Sequence, residues 1–145
     1  ATLIERNTRL CILAALPDAK AESVRLVLTE ALKYLPPELR KTLTYDRGRE
    51  MAEHTILEQD LGIAVYFCDP HSPWQKGTCE NMNGLIRQYL PKGIDLSQAD
   101  QHYLNQVAMS LNTRPRKALD WYTPLEKFAQ LIDYHHTFKT VAPHI

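Results

Sequence analysis

Residues 41–68 constrain the fold most: two short β-type runs, KTLTY and IAVYFC, flank one amphipathic helical stretch that ends at Gly62. A strand, a helix and a second strand in this order form a βαβ unit, so the runs pair in parallel through a right-handed crossover. Strands are predicted over 41–45 and 63–68 and a helix over 50–61. The second run is almost continuously apolar, as expected of a strand covered on both faces. In open α/β sheets, functional residues gather where strands end at their carboxyl edge. Asp46 follows directly on the first strand, and the loop after Cys68 leaves the second at the same edge.

The flanking elements fit an α/β chain. Thr2–Ile4 and residues 10–16 are apolar runs separated by a polar stretch with Asn7 at the turn, the pattern of an antiparallel hairpin. After Asp18, a candidate cap, Val24, Val27, Leu28, Ala31, Leu32 and Leu35 recur at helical spacing until Pro36 and Pro37. Ser97 is the candidate cap of a later helix that buries Leu104, Val107, Ala108 and Leu111 and runs out before Pro115. Thr123, Pro124 and Glu126 spell a capping box opening a last helix to about Asp133. Trp121 and Tyr122 are read as core. The 145 residues suffice for one domain, 1–133, with 134–145 as an extended or loosely packed tail.

Between these elements lies HSPWQKGTCENMNGLIRQYLP, residues 71–91, a polar loop that becomes a helix and stops at its final proline. Met82, Leu85, Ile86, Tyr89 and Leu90 fall on one side of the helical wheel, and Glu80, Asn83, Gly84 and Arg87 on the other. With Thr78 as the expected N-cap, Glu80 stands in the first turn. A polar stripe of this kind is ordinarily a solvated face. The alternative is that Glu80 converges with Asp46, because paired carboxylates beside basic side chains suit hard divalent cations. A bridging two-ion site wants a third carboxylate, and no obvious one is present. A zinc site built from Cys68, His71 and Cys79 lacks a fourth ligand.

Composition adds exclusions. No apolar run approaches the ~18 residues of a spanning helix. Three cysteines make an odd set without a metal-binding doublet, which reads as reduced thiols in a cytosolic protein. Net charge is formally zero, so the total does not advertise a nucleic-acid binder. Local clusters are nevertheless basic: Arg40, Lys41, Arg47 and Arg49 near Asp46, and Arg114, Arg116 and Lys117 at a turn. These contact phosphates or are simply solvated.

TLIERNTR, TYDRGREMA, FCDPHSPWQKGTCENMNGLIRQYLPKG and LNTRPRKALDWYTPLEKF together closely resemble the catalytic core of IS30-family transposases, within the retroviral-integrase-like recombinases. The likeness runs from Thr2 to about Phe128. It implies an RNase H-like α/β fold, a mixed sheet flanked by helices, and the cutting and joining of DNA strands with two magnesium ions, for which manganese substitutes. It also implies transposon ends and target DNA as partners, a homo-oligomer, taken as a dimer, and a cytoplasmic, nucleoid-associated location. The family's Asp-Asp-Glu triad places its second Asp on Asp46 and its Glu on Glu80. Its first Asp belongs to a strand ahead of the opening hairpin, pairing centrally in the sheet. That strand is expected to be missing here, so the chain alone is expected to be inactive; Glu5 and Asp69 are the nearest acidic substitutes.

By the same resemblance Asn83 and Arg87 hold the DNA end, against plain solvation, while Gly84 admits a DNA backbone or reflects packing. Trp74 stacks on a base or anchors its loop, His71 orders the loop or sits near the phosphate, and Arg47 and Lys76 are candidate phosphate contacts. Arg114 and Arg116 contact DNA or cap the preceding helix. A folded, non-catalytic interaction module is the alternative from another class, and a nuclease that hydrolyses without joining is a third.

Overall fold

The computed structural model describes residues 1–45, 48–67, 77–91 and 100–141, with backbone alone for 77–80 and 135–141. The chain divides into two compact units, one of Ala1 with Ala14–Gly77 and one of Thr2–Leu13 with Thr78–Ile145.

The first unit contains the βαβ element. Strand β3 (Thr42–Tyr45) pairs in parallel with β4 (Ala64–Phe67), with Thr42 opposite Ala64 and Tyr45 opposite Phe67. Helix α1 (Ala21–Leu32) buries Val24, Leu28 and Leu32 at helical spacing. Asp18 does not cap it: the Asp18 carboxylate accepts from the Lys20 N–H, forming a local turn, and the helix begins beyond it with Lys20 at the cap. The predicted helix over 50–61 is interrupted. A 3₁₀ turn, Arg49–Met51, precedes α2 (His54–Leu61), and Glu53 between them, at φ −97° and ψ 24°, pairs with Arg25, whose Nε lies 2.9 Å from its carboxylate. Gly62 ends α2 in the left-handed region, with φ 64°, where glycine carries no side-chain penalty. Arg40, which the sequence groups with basic surface residues, donates to the Leu35 and Leu61 carbonyls and so ties the loop after α1 to the end of α2. The covered-sheet expectation for 63–68 is not met at Tyr66, which is exposed: in a two-stranded ladder alternate side chains leave the packed face.

The second unit opens with the predicted hairpin, β1 (Thr2–Ile4) antiparallel to β2 (Cys11–Leu13), with Leu3 opposite Ile12. Its loop closes through Arg9 N–H to the Glu5 carbonyl, with Arg9 at φ 64°. Among the described residues the strands thus form two separate pairs where one mixed sheet is expected. Helices α3 (Gly77–Ile86), α4 (Gln101–Asn112) and α5 (Pro124–Val141) complete the unit. Its core joins Cys11 and Leu13 of β2, Met82 and Ile86 of α3, and Val107, Ala108 and Leu111 of α4.

Three expectations shift here. Asp100, and not Ser97, caps α4, accepting from the Tyr103 N–H at 2.8 Å. Thr78 lies inside the first turn of α3. The capping box of α5 forms reciprocally, Glu126 N–H to Thr123 Oγ1 at 3.0 Å and Thr123 N–H to Glu126 Oε1 at 3.1 Å. With no glycine or proline between Pro124 and Pro143, α5 continues past Asp133 to Val141, through residues expected to form an extended tail.

Trp121 and Tyr122 are exposed, against their assignment to the core. Leu119 takes the buried position in the 3₁₀ turn Lys117–Leu119, and Asp120 and Trp121 follow at φ 53° and 68°, turning the chain outward. Left-handed backbone costs a residue with a side chain about 1–2 kcal/mol.

Candidate functional site

Helix α3 is built from two faces, and the structure separates them as the wheel predicts. Met82 and Ile86 are buried, and Leu85, Tyr89 and Leu90 pack against the same core. Asn83, Gly84 and Arg87 are exposed. Burying two large side chains at roughly 2 kcal/mol each fixes the rotation of the helix about its axis. Once Met82 and Ile86 are inside, Asn83 and Arg87 have to face outward. Arg87 lies just past the last helical residue, yet its N–H still bonds the Asn83 carbonyl at 3.0 Å, so the two remain one turn apart.

Glu80 is in the first turn of α3 by its backbone; its side chain lies outside the described residues. Asp46, Arg47, Asp69, His71, Trp74 and Lys76 also lie outside them, as do Cys68 and Ser97. Tyr45 ends β3, so Asp46 is the next residue in sequence. The expected convergence of Asp46 and Glu80 therefore concerns residues outside those described. No group of three His, Cys, Asp or Glu side chains capable of holding a metal occurs among the described residues.

Gly84 separates its two readings. A Cβ built there meets nothing within 4 Å, so no neighbouring group among those described requires a glycine. Glu5 is engaged locally, because its carboxylate accepts from Thr8 N–H and Thr8 Oγ1, both at 2.6 Å, and holds the hairpin turn.

Neither Arg114 nor Arg116 caps α4. Arg114 Nη2 donates to Tyr89 Oη at 2.8 Å and its guanidinium lies 5.9 Å from the Tyr89 ring centre, supporting the turn that follows α3. Arg116 reaches under α3 itself, with Nη2 3.7 Å from Met82 Sδ, while its buried Nε makes no hydrogen bond among the described residues. Burial, reinforced by the like charges of Arg114 and Arg9, holds the Arg116 guanidinium below its ordinary pKa. The end of α4 is closed instead by Thr113, whose Oγ1 donates to the Met109 carbonyl at 2.8 Å.

One positioning residue is not among those the sequence singles out. Asn112, the last residue of α4, is buried and bonds both backbone groups of Cys11, accepting from its N–H at 2.8 Å and donating to its carbonyl at 2.9 Å. The signal for it is its spacing, since Asn112 stands four residues after Ala108 on the buried stripe.

Comparison with known proteins places this arrangement. The integrase core domain family matches residues 1–73. The transposase for insertion sequence element IS1086 from Cupriavidus metallidurans is 56% identical over 130 residues, 90% of this chain and 38% of its own length. Transposase InsI for insertion sequence element IS30A from Escherichia coli is 52% identical over 126 residues, 87% of this chain and 33% of its own length. The transposase for insertion sequence element IS4351 from Bacteroides fragilis is 40% identical, covering 91% of this chain and 40% of the relative. The chain thus spans 33–40% of the length of these relatives. Among solved structures, the catalytic core domain of BIV integrase superposes with a TM-score of 0.69 at 20% identity, over 93% of this chain and 88% of that one. That likeness shows the RNase H-like fold of a retroviral integrase core. From the family match, the chain belongs to the integrase core domain family, and the relatives to which it is similar are transposases of insertion sequences.

Proposed function

We propose that this chain is the catalytic-core portion, spanning residues 1–133, of an insertion-sequence transposase that cleaves DNA strands at the element's ends and joins them to target DNA. The observation that carries the reading is the division of α3: a helix whose buried face fixes Asn83, Gly84 and Arg87 outward, on the side that the wheel assigns to Glu80. The relatives that are 52–56% identical to it are transposases of insertion sequences.

Asp46 and Glu80 are assigned as metal ligands and catalytic carboxylates. Oxygen donors without thiols fit a hard cation, magnesium or, in substitution, manganese. Two such ions, when bound, lower the pKa of the attacking water or hydroxyl and steady the leaving oxygen. The third carboxylate belongs to the Asp that the family carries on a strand ahead of the hairpin. Asn83 and Arg87 contact the DNA end, where such side chains position a backbone and leave sequence to other groups. Arg47, Trp74 and Lys76 are proposed as further DNA contacts. The complete protein is proposed to work as a homodimer on nucleoid DNA in the cytoplasm.

The test uses the complete transposase. Asp46→Asn and Glu80→Gln are expected to keep fold and DNA binding and to yield neither nicked nor joined product. Strand transfer at the wild-type level by either variant overturns the assignment. Nicked product without joined product from the wild type replaces transposase by nuclease.

A further inference from the structure

The turn after α4 plays no part in the mechanism above, and its construction is unusual. Five backbone hydrogen bonds close residues 116–122 on themselves, among them Arg116 N–H to the Tyr122 carbonyl at 3.0 Å and Trp121 N–H to the Arg116 carbonyl at 2.8 Å. Leu119 anchors the turn inside the second unit. Asp120 and Trp121 both take left-handed backbone, a conformation that persists only where its surroundings over-determine it and that clusters at functional sites. What the strained pair delivers is an indole 67% exposed to solvent, beside a Tyr122 ring that is 43% exposed. A tryptophan held outward by a rigid, closed turn is a preformed flat surface.

The charge around it selects the occupant. Lys117 is exposed on the same turn, and Lys127 Nζ sits 4.6 Å from the centre of the Tyr122 ring. Two carboxylates are nearby in sequence, Asp120 and the α5-capping Glu126, and Arg116, Lys117 and Lys127 outnumber them. An apolar protein partner would be served by neither lysine. Exposed aromatic faces interleaved with cations match unpaired nucleic acid, whose bases stack on the rings while its phosphates meet the lysines. We infer that the 116–122 turn is a stacking platform for an unpaired DNA base, with Trp121 as the base contact and Lys117 as the phosphate contact. The inference rests on the DNA-acting reading given above and adds a second contact surface to the α3 face.

Binding of labelled oligothymidine and of a blunt duplex to the full chain, read by fluorescence anisotropy without divalent metal, tests it. Trp121→Gly suits the left-handed backbone and is expected to leave the melting temperature unchanged or raised. Its affinity for the single strand is expected to fall by roughly 5- to 100-fold, the range of one lost base stack, with duplex affinity changed less than about twofold. Trp121→Phe, which keeps a ring, is expected to retain most of the single-strand affinity. Equal single-strand affinity in Trp121→Gly and wild type overturns the platform and leaves the proposed function standing. Loss of a wild-type dimer in Trp121→Gly by sedimentation, with DNA affinity unchanged, gives the surface to a second copy and also overturns it. If the wild-type chain binds neither DNA, the DNA-acting reading itself fails.

Discussion

The side-chain amide of Asn112 pairs with both backbone groups of Cys11, accepting at 2.8 Å and donating at 2.9 Å, across 101 residues of sequence. It completes β2 in the manner of a neighbouring strand, from the end of a helix. Asn112→Ala leaves a buried N–H and a buried carbonyl without partners, each costly to desolvate, and is expected to lower the unfolding free energy by about 2–3 kcal/mol. Asn112→Asp retains the acceptor but sets a carboxylate against the Cys11 carbonyl, and should be no better. Urea denaturation measures both. A wild-type midpoint in Asn112→Ala contradicts the structural role assigned to this pair.

Thr123 and Glu126 satisfy each other's backbone at the start of α5. Thr123→Ala is expected to cost about 1 kcal/mol, whereas Thr123→Ser, which keeps the hydroxyl, should cost little. Thermal melts followed by circular dichroism distinguish the two, and equal melting temperatures in both variants would show that the cap does not stabilise the helix.

Gly84 offers a variant in which stability and binding move in opposite directions. With open space around a new Cβ, Gly84→Ala is expected to stabilise α3 by about 1 kcal/mol. If the bare backbone exists to admit DNA closely, the same methyl group weakens binding to transposon-end DNA. A destabilised alanine variant restores the packing explanation, and unchanged affinity removes the close approach.

Arg87 is exposed and has no ion-pair partner among the described residues, so Arg87→Ala should leave the melting temperature within about 0.5 kcal/mol of wild type in equivalent stability. As a phosphate contact it releases a counterion on binding, and its loss is expected to reduce the salt slope of DNA affinity by about one, uniformly across sequences. Anisotropy titrations over a range of salt concentrations supply the slope. An unchanged slope would place Arg87 off the DNA path.

Features generated by periodicity are legible in the residues. The parallel pairing of β3 and β4, the two faces of α3 and the buried stripe of α4 all follow from where apolar residues recur. So does the α5 capping box, whose chemistry is contained within four consecutive positions. What the residues conceal depends on partners distant in sequence or on the sign of φ. Asn112 looks like an ordinary helix-end polar residue until Cys11 is placed beside it. Trp121 and Tyr122 carry core hydrophobicity, and only the left-handed backbone at Asp120 and Trp121 turns them outward. Asp18 departs from expectation for the opposite reason: its carboxylate finds a nearer N–H than the one a helix cap would use. Of the candidate site, the outward placement of Asn83, Gly84 and Arg87 is readable because Met82 and Ile86 dictate it, while any approach of Asp46 to Glu80 depends on how distant segments assemble.

The second unit is discontinuous, taking Thr2–Leu13 from one end of the chain and Thr78–Ile145 from the other. On a ribosome, β1 and β2 emerge before α3 and α4 and must wait, with Leu13 and the Cys11 side chain and backbone lacking their partners from those helices, until both have been synthesised. The segment between them, Ala14–Gly77, can close its own contacts in the meantime. The nascent chain therefore carries an open, apolar hairpin while residues 14–112 are made, and a messenger cut short before Asn112 would yield a product whose β2 lacks the Asn112 contacts and is exposed for aggregation.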